Sequence, residues 1–266
     1  MAPVIRATPT DAAETRRAVT TTGLDPIVAR EGATLMTDST DTFDIVILGG
    51  GSGGYACALR AAQLGLSVAL VEKDKLGGTC LHRGCVPTKA LLHAAEVADS
   101  ARESEKFGVK ATLEGIDMAG VHTYKDGVVA RLHKGLQGLV KAAKVTYVEG
   151  LGRVVARDTV EVDGRRLTGK NLVIATGSYA KSLPGLEIAG RIMTSEQALL
   201  LDEVPARVVV LGGGVIGSEF ASVYRSFGAE VTIVEALPGS SRSRTRRSPR
   251  PSNAPSRSAR SASRPA

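Results

Sequence analysis

The chain has 266 residues, 43% of them hydrophobic, with no Trp and only four Phe and five Tyr. That is enough apolar material for one large domain or two smaller ones, and no run of about 18 apolar residues exists, so no membrane-spanning helix is expected. The net charge of +7 resides in residues 239–266, which hold eight Arg and no acid; everything before them sums to −1, which excludes a basic fold surface.

Residues 1–41 are rich in Ala, Thr, Asp and Arg and lack sustained periodicity, so they read as a disordered leader. Asp11, Glu14, Asp25 and Glu31 count against a mitochondrial targeting peptide, and Met36 is a second candidate start. No secretory signal opens the chain, and a cytoplasmic location is expected.

The first ordered element is Phe43-Asp44-Ile45-Val46-Ile47-Leu48, a β-branched apolar run that reads as a buried parallel strand. G-x-G-x-x-G follows at Gly49, Gly51 and Gly54, then a helical pattern ending at Gly65, then the strand "SVALVE" ending in Glu72. Strand, glycine turn, helix, strand and acid, in that order, form a dinucleotide-binding fingerprint. The glycines allow a tight turn and close approach of a pyrophosphate, the helix N-terminus supplies N–H donors, and Glu72 can accept from a ribose diol. Cys57 on this helix reads as a small core residue.

Two more cysteines follow in Gly77-Gly78-Thr79-Cys80-Leu81-His82-Arg83-Gly84-Cys85-Val86-Pro87-Thr88-Lys89. In a continuous α-helix, residues five apart have Cα atoms roughly 8.7 Å apart, beyond the reach of a disulfide. If the two are to pair, the helix must break between them, and Gly84 and Pro87 are residue types that permit it. On spacing alone, a redox pair and two unconnected core cysteines both stand.

"TKALLHAAEVADSAR" reads as helical, "GVKATLEGID" as a break, and "AGVHTYKDGVVARLHKGLQGLVKAAK" as a long amphipathic helix. "VTYVEG", "GRVVA" and "TVEV" read as a small β-meander with a turn at Asp163-Gly164, and "NLVIATG" as a further buried strand. Pro184-Gly185 marks a loop and a candidate boundary. The fingerprint then recurs. Residues 44–72 align without a gap on 207–235, with 11 identities in 29 positions, placing a second G-x-G-x-x-G at Gly212, Gly214 and Gly217 and its acid at Glu235. Two nucleotide-binding units and a cysteine pair point to electron transfer from thiols through a flavin to a nicotinamide.

"ILGGGSGGY", "GGTCLHRGCVPTKALL", "IATGS" and "LGGGVIGSEFAS", in that order, make the stretch from Phe43 to Pro238 resemble the pyridine nucleotide–disulfide oxidoreductases, and within them the members that oxidise dihydrolipoamide. The cysteine block matches the family pattern G-G-T-C-x-x-x-G-C-x-P-[ST]-K. The resemblance implies an α/β fold: an FAD-binding Rossmann-like domain with a small β-meander over 42–183, plus the first βαβ part of a second Rossmann-like NAD domain over 184–238. It implies Cys80 as the thiol that meets substrate and Cys85 as the thiol beside the flavin, with Lys89 near the flavin and paired to Glu219. Gly49, Gly51, Gly54, Glu72, Lys73, Gly78, Thr79, Lys89, Gly152, Thr176, Gly177 and Ser178 would contact FAD. Gly212, Gly214, Gly217 and Glu235 would bind NAD, and no metal site is expected. A helix N-terminus near Cys80 would favour its thiolate. Glu235 suits a free 2′-hydroxyl, which favours NAD over NADP and disfavours glutathione and mercuric reductases; an ordinary surface acid is the alternative. The implied partners are a lipoyl domain of 2-oxo acid dehydrogenase complexes and a second copy of the chain. His82, His93, His122 and His133 are not placed as the family's catalytic histidine, although His82 lies between the cysteines.

The match stops after "VEALPG", where 27 residues with eight Arg, nine Ser and four Pro follow. This composition cannot pack a core and is expected to be disordered. A reading-frame shift is the expected origin, and an RNA-binding arm the alternative. The family's later segments, including a dimerisation domain and an acid/base His–Glu pair, find no match, so impaired activity is expected. An inactive fragment with weak nucleotide binding, or another NAD-linked flavin disulfide reductase, are the competing readings.

Overall fold

The computed structural model describes residues 40–236. The expected tail, and the expected leader up to residue 39, lie outside the described residues. Thr40 and Asp41, assigned by the sequence to the leader, instead begin the first strand, where they pair with Arg166 and Leu167.

Strand β1 (Thr40–Leu48) leads through helix α1 (Ser52–Gln63) to β2 (Val68–Glu72). The short α2 (Gly78–His82), α3 (Cys85–Arg102), a 3-10 turn (Ser104–Phe107) and α4 (Met118–Ala142) then form the crossover to β3 (Thr146–Glu149). Strands β4 (Arg153–Ala156), β5 (Thr159–Val162) and β6 (Arg165–Ile174) follow. The sheet order is β3-β2-β1-β6-β5-β4; the first four strands are parallel and β6-β5-β4 are antiparallel. The chain thus winds outward from β1 in both directions, so the C-terminal ends of β1 and β6 flank the point where ligands bind in open α/β sheets.

Side-chain alternation explains the layers. Ile47, Val68 and Leu70 face α1, α2 and the end of α4, packing with Ala58, Leu81, Leu136 and Val140. Val46, Ala69 and Val71 face the other way and pack against Val160, Val162 and Leu167 of the meander. Strands covered on both faces lose the polar alternation, which is why β1 and β2 read as continuous apolar runs.

Two strand expectations are corrected. The segment "VTYVEG" does not join the meander: β3 pairs in parallel with β2, matching Ala69 to Thr146 and Glu72 to Glu149. The α3–α4 crossover returns the chain to that edge of the sheet, and the meander consists of β4, β5 and the start of β6. "NLVIATG" is not fully buried; Ile174 is 58% exposed, because β5 pairs only with Arg165–Thr168 and leaves the end of β6 bonded to β1 alone.

A turn at Leu183–Leu186 leads to α5 (Ser195–Ala198), β7 (Arg207–Leu211), α6 (Val215–Phe227) and β8 (Glu230–Val234). β7 and β8 form a two-stranded parallel sheet with α6 against it. Phe220, Val223, Tyr224 and Phe227 share one core with Val208, Leu91, Ala95 and Met118, so α3 and the start of α4 are built into the second unit. Helix α4, about 37 Å long at 1.5 Å per residue, contributes Met118 to this core and Leu136 and Val140 to the one beneath the large sheet.

Candidate active site

The two glycine turns superimpose in chemistry as well as in sequence. Gly49 and Gly212 have φ of +110° and +101°, the left-handed region where a side chain is strained. A Cβ on Gly54 would overlap the Gly49 carbonyl oxygen, and one on Gly217 the Gly212 oxygen, so the third glycine lets helix and turn approach. The amides of Gly49 and Gly212 each donate at 2.8 Å to the neighbouring strand, at Val71 and Val234. Glu72 accepts from the Gly50 amide at 2.6 Å, and Glu235 accepts from the Gly213 amide at 2.8 Å. The fingerprint acid therefore also closes its own turn.

These turns fit a phosphate. Helix α1 has no side-chain cap, a Cβ on Gly53 would meet nothing within 4 Å, and one on Gly51 only Gly78 Cα at 3.9 Å. Main-chain N–H groups at the start of α1 are left open to the cleft, the arrangement that binds anions.

The helix breaks between the cysteines, as their pairing would require. Cys80 lies in α2, which ends at His82; Arg83 and Gly84 leave the helical region, and Cys85 is the first residue of α3. Thr88 holds the break by donating from both its amide, at 3.0 Å, and its hydroxyl, at 2.7 Å, to the Gly84 carbonyl. Both cysteines are thiols, Cys80 partly buried and Cys85 exposed. Burial, and then a hydrogen bond with Cys85, push the Cys80 thiol above its ordinary pKa. The sequence had assigned a helix N-terminus to Cys80; the structure gives the 18-residue helix α3 to Cys85 and only the five-residue α2 to Cys80.

A cleft of about 430 Å³ gathers Gly51, Thr79, Cys80, Cys85, Lys89, Gly177, Ser178 and Glu219. Val215 and Ile216 bring the start of α6 to its wall. Lys89 Nζ donates to Glu219 Oε1 at 2.6 Å, the pairing expected from the resemblance. A side chamber of about 100 Å³ continues past Gly78 and Thr176 to Glu72, Lys73 and Tyr179. There Glu72 Oε1 accepts from the Asp74 amide at 2.9 Å, and Arg83 pairs with Asp74.

Gly152 stands outside the lining of cleft and chamber. It sits among Leu48, Val71 and Val160, where a Cβ would collide with their side chains, so packing by itself requires a glycine there. Gly212, Gly214, Gly217 and Glu235 build the second turn but do not line the cleft. None of the four histidines lines it either. His82 Nε2 bonds to the Leu76 carbonyl at 2.9 Å, and its ring meets His133 edge to face at 4.8 Å. His93 pairs with Glu96, and His122 with the Leu201 carbonyl. Burial, with His82 next, lowers the His133 pKa. Thr88 and Tyr179 were missed by the sequence reading; Tyr179 directly follows Thr176-Gly177-Ser178, and that adjacency was the available signal.

The family model for the pyridine nucleotide-disulphide oxidoreductases matches residues 43–247. Dihydrolipoyl dehydrogenase from Bacillus subtilis is 45% identical over 207 residues, covering 73% of this chain and 44% of that protein. The mitochondrial dihydrolipoyl dehydrogenase of Pisum sativum is 46% identical over 203 residues, covering 73% of this chain and 40% of its own. Among solved structures, the Cu(II) complex of the HOCl-induced flavoprotein disulfide reductase RclA from Escherichia coli matches with a TM-score of 0.59 at 27% identity, over 74% of this chain and 43% of that one. The chain thus spans less than half the length of these relatives.

Proposed function

The chain belongs to the pyridine nucleotide-disulphide oxidoreductase family, and from that premise we propose that it carries the thiol and nucleotide-binding part of a flavoprotein disulfide oxidoreductase, which takes electrons from dihydrolipoamide through Cys80 and Cys85 to FAD and NAD. The observation that carries this reading is the placement of the two thiols in one cleft with the open start of α1, the start of α6 and the Lys89–Glu219 pair.

In the oxidised pair, a substrate thiolate attacks the Cys80 sulfur, the Cys80–Cys85 bond breaks, and Cys85 leaves as a thiolate. The second substrate thiol then displaces Cys80, closing the substrate disulfide and leaving Cys80 and Cys85 as thiols. Bound in the cleft, FAD would supply the two-electron acceptor that returns the pair to the disulfide, with NAD⁺ as final oxidant. The chain's own groups bind and orient. Gly49, Gly51 and Gly54 admit the pyrophosphate to the start of α1, with Gly78 and Thr79 on the facing wall. Glu72, held by two amides, presents its remaining lone pairs to a ribose, with Lys73 beside it. Thr176, Gly177 and Ser178 close the β6 side, and Lys89 orients through Glu219. Gly212, Gly214, Gly217 and Glu235 repeat the arrangement for NAD. The FAD unit is assigned to 42–183 and the partial NAD unit to 184–238. A lipoyl domain delivers substrate, the family's homodimer would need the dimerisation segment that finds no match here, and the setting is cytoplasmic.

Purified protein tests this directly: a flavin spectrum near one FAD per chain, and NADH formation from dihydrolipoamide that Cys80→Ser or Cys85→Ser abolishes. A colourless protein that takes up no added FAD would overturn the reading. The histidine positions favour a second reading, nucleotide binding with slow turnover. With no histidine at the sulfurs, proton transfer there falls to water or to another chain, and bound flavin without measurable NADH formation would select it.

A further inference from the structure

Residues from two strands that are not neighbours meet above the first glycine turn. In the order β2-β1-β6, Lys73 follows β2, Tyr179 lies beyond β6, and β1 with its glycine turn is between them. Lys73 Nζ donates to the Tyr179 hydroxyl at 2.7 Å and stands 5.4 Å from its ring centroid. The contact joins positions 106 residues apart and spans the C-terminal end of β1. Tyr179 is 76% exposed, so core packing does not hold it there. Gly177, at φ +81°, turns the chain after β6, and Tyr179 and Glu72 both line the side chamber.

We propose that Tyr179, tethered by Lys73, is a nucleotide-binding residue that closes over the adenosine half of the first site. The proposal rests on the FAD reading above. A carboxylate for the ribose and open amides for the phosphates are present, and a purine needs in addition a flat apolar face. Tyr179 provides one at the chamber wall, and base–aromatic stacking tolerates an exposed ring. The hydroxyl anchors the ring through Lys73, whose ammonium remains at hand for a phosphate.

The full chain, freed of flavin, is mixed with FAD and separately with ADP, and release is followed by stopped-flow fluorescence with a displacing nucleotide. Tyr179→Ala should release both ligands about tenfold faster, and Tyr179→Phe and Lys73→Met, which keep the ring but cut the tether, about threefold faster. The melting temperature of the unliganded protein should not move, because the ring is exposed. Equal release from wild type and Tyr179→Ala overturns the clasp alone. An effect on FAD without one on ADP also overturns it, by moving the contact to the flavin side. Wild-type protein that binds neither FAD nor ADP overturns the FAD reading itself, and the clasp with it.

Discussion

Lys89 Nζ and Glu219 Oε1 lie 2.6 Å apart, tying the helix that begins at Cys85 to the helix that leaves the second glycine turn. The Lys89 side chain is 60% exposed and Glu219 23%, so the pair contributes less than about 1 kcal/mol to stability. Its value is positional, since both residues line the cleft that holds the thiols. Glu219→Gln should therefore leave urea denaturation nearly unchanged while lowering NAD-linked turnover at least about tenfold, equivalent to about 1.4 kcal/mol of barrier. A parallel loss of stability and turnover would assign the pair a structural role instead.

The duplicated turns allow a matched experiment. Gly54→Ala and Gly217→Ala each drive a methyl group into a main-chain carbonyl, at Gly49 and Gly212 respectively. Each should destabilise by roughly 1–3 kcal/mol or more. Gly54→Ala should also abolish FAD uptake, whereas Gly217→Ala should retain the flavin and lose NADH protection against proteolysis. Equal effects of the two variants on FAD uptake would contradict separate sites.

Thiol chemistry should distinguish the two cysteines. Cys85 is exposed and Cys80 partly buried, and burial with the Cys85 hydrogen bond raises the Cys80 pKa. Iodoacetamide should label Cys85 first near neutrality, with Cys80 labelling rising only above the pH where an ordinary thiol ionises. Mild diamide oxidation should form one intramolecular bond between Cys80 and Cys85, leaving Cys57 free. Peptide mass mapping reads both outcomes; a Cys57 disulfide would disprove the pairing.

Acid should loosen the middle of β1, at Asp44. Asp44 accepts from Lys170 Nζ at 2.7 Å and from the Ser67 amide and hydroxyl at 2.8 Å. Lys170 first, then Ser67, hold its carboxyl well below the ordinary value of 3.8. A depressed carboxyl contributes stability that is fully present above that ordinary value and is lost as pH falls below it toward the folded value. Wild type should thus exceed Asp44→Asn in denaturation midpoint at pH 7, and the gap should shrink below pH 4. A gap independent of pH would remove Asp44 from the acid response.

Much of the fold was legible because its determinants are local. Glycine at positive φ, a buried β-branched run and an acid at the end of the next strand act within about 30 residues, so both units could be read from 44–72 and 207–235. The misread segments depended on distant partners. Thr146–Glu149 has the composition of a meander strand and became a parallel edge strand only because the long crossover delivers it to β2. Gly152 carries a constraint that only the fold reveals: side chains of Leu48, Val71 and Val160 leave no room for a Cβ there.

By itself, then, the sequence determined the two strand–turn–helix–strand units, the break required between Cys80 and Cys85 if they pair, and the motif order that carries the family resemblance. These follow from steric limits on single residues and from short-range hydrogen bonding. Only the tertiary structure decided that α3 is shared between the two units, that Cys85 rather than Cys80 begins the long helix, and that Lys73 meets Tyr179 across β1. The first and the last arise from packing between segments 100 or more residues apart, which no local pattern encodes; the second is local, permitted by Gly84 and Pro87, and settled by the backbone that Arg83 and Gly84 adopt.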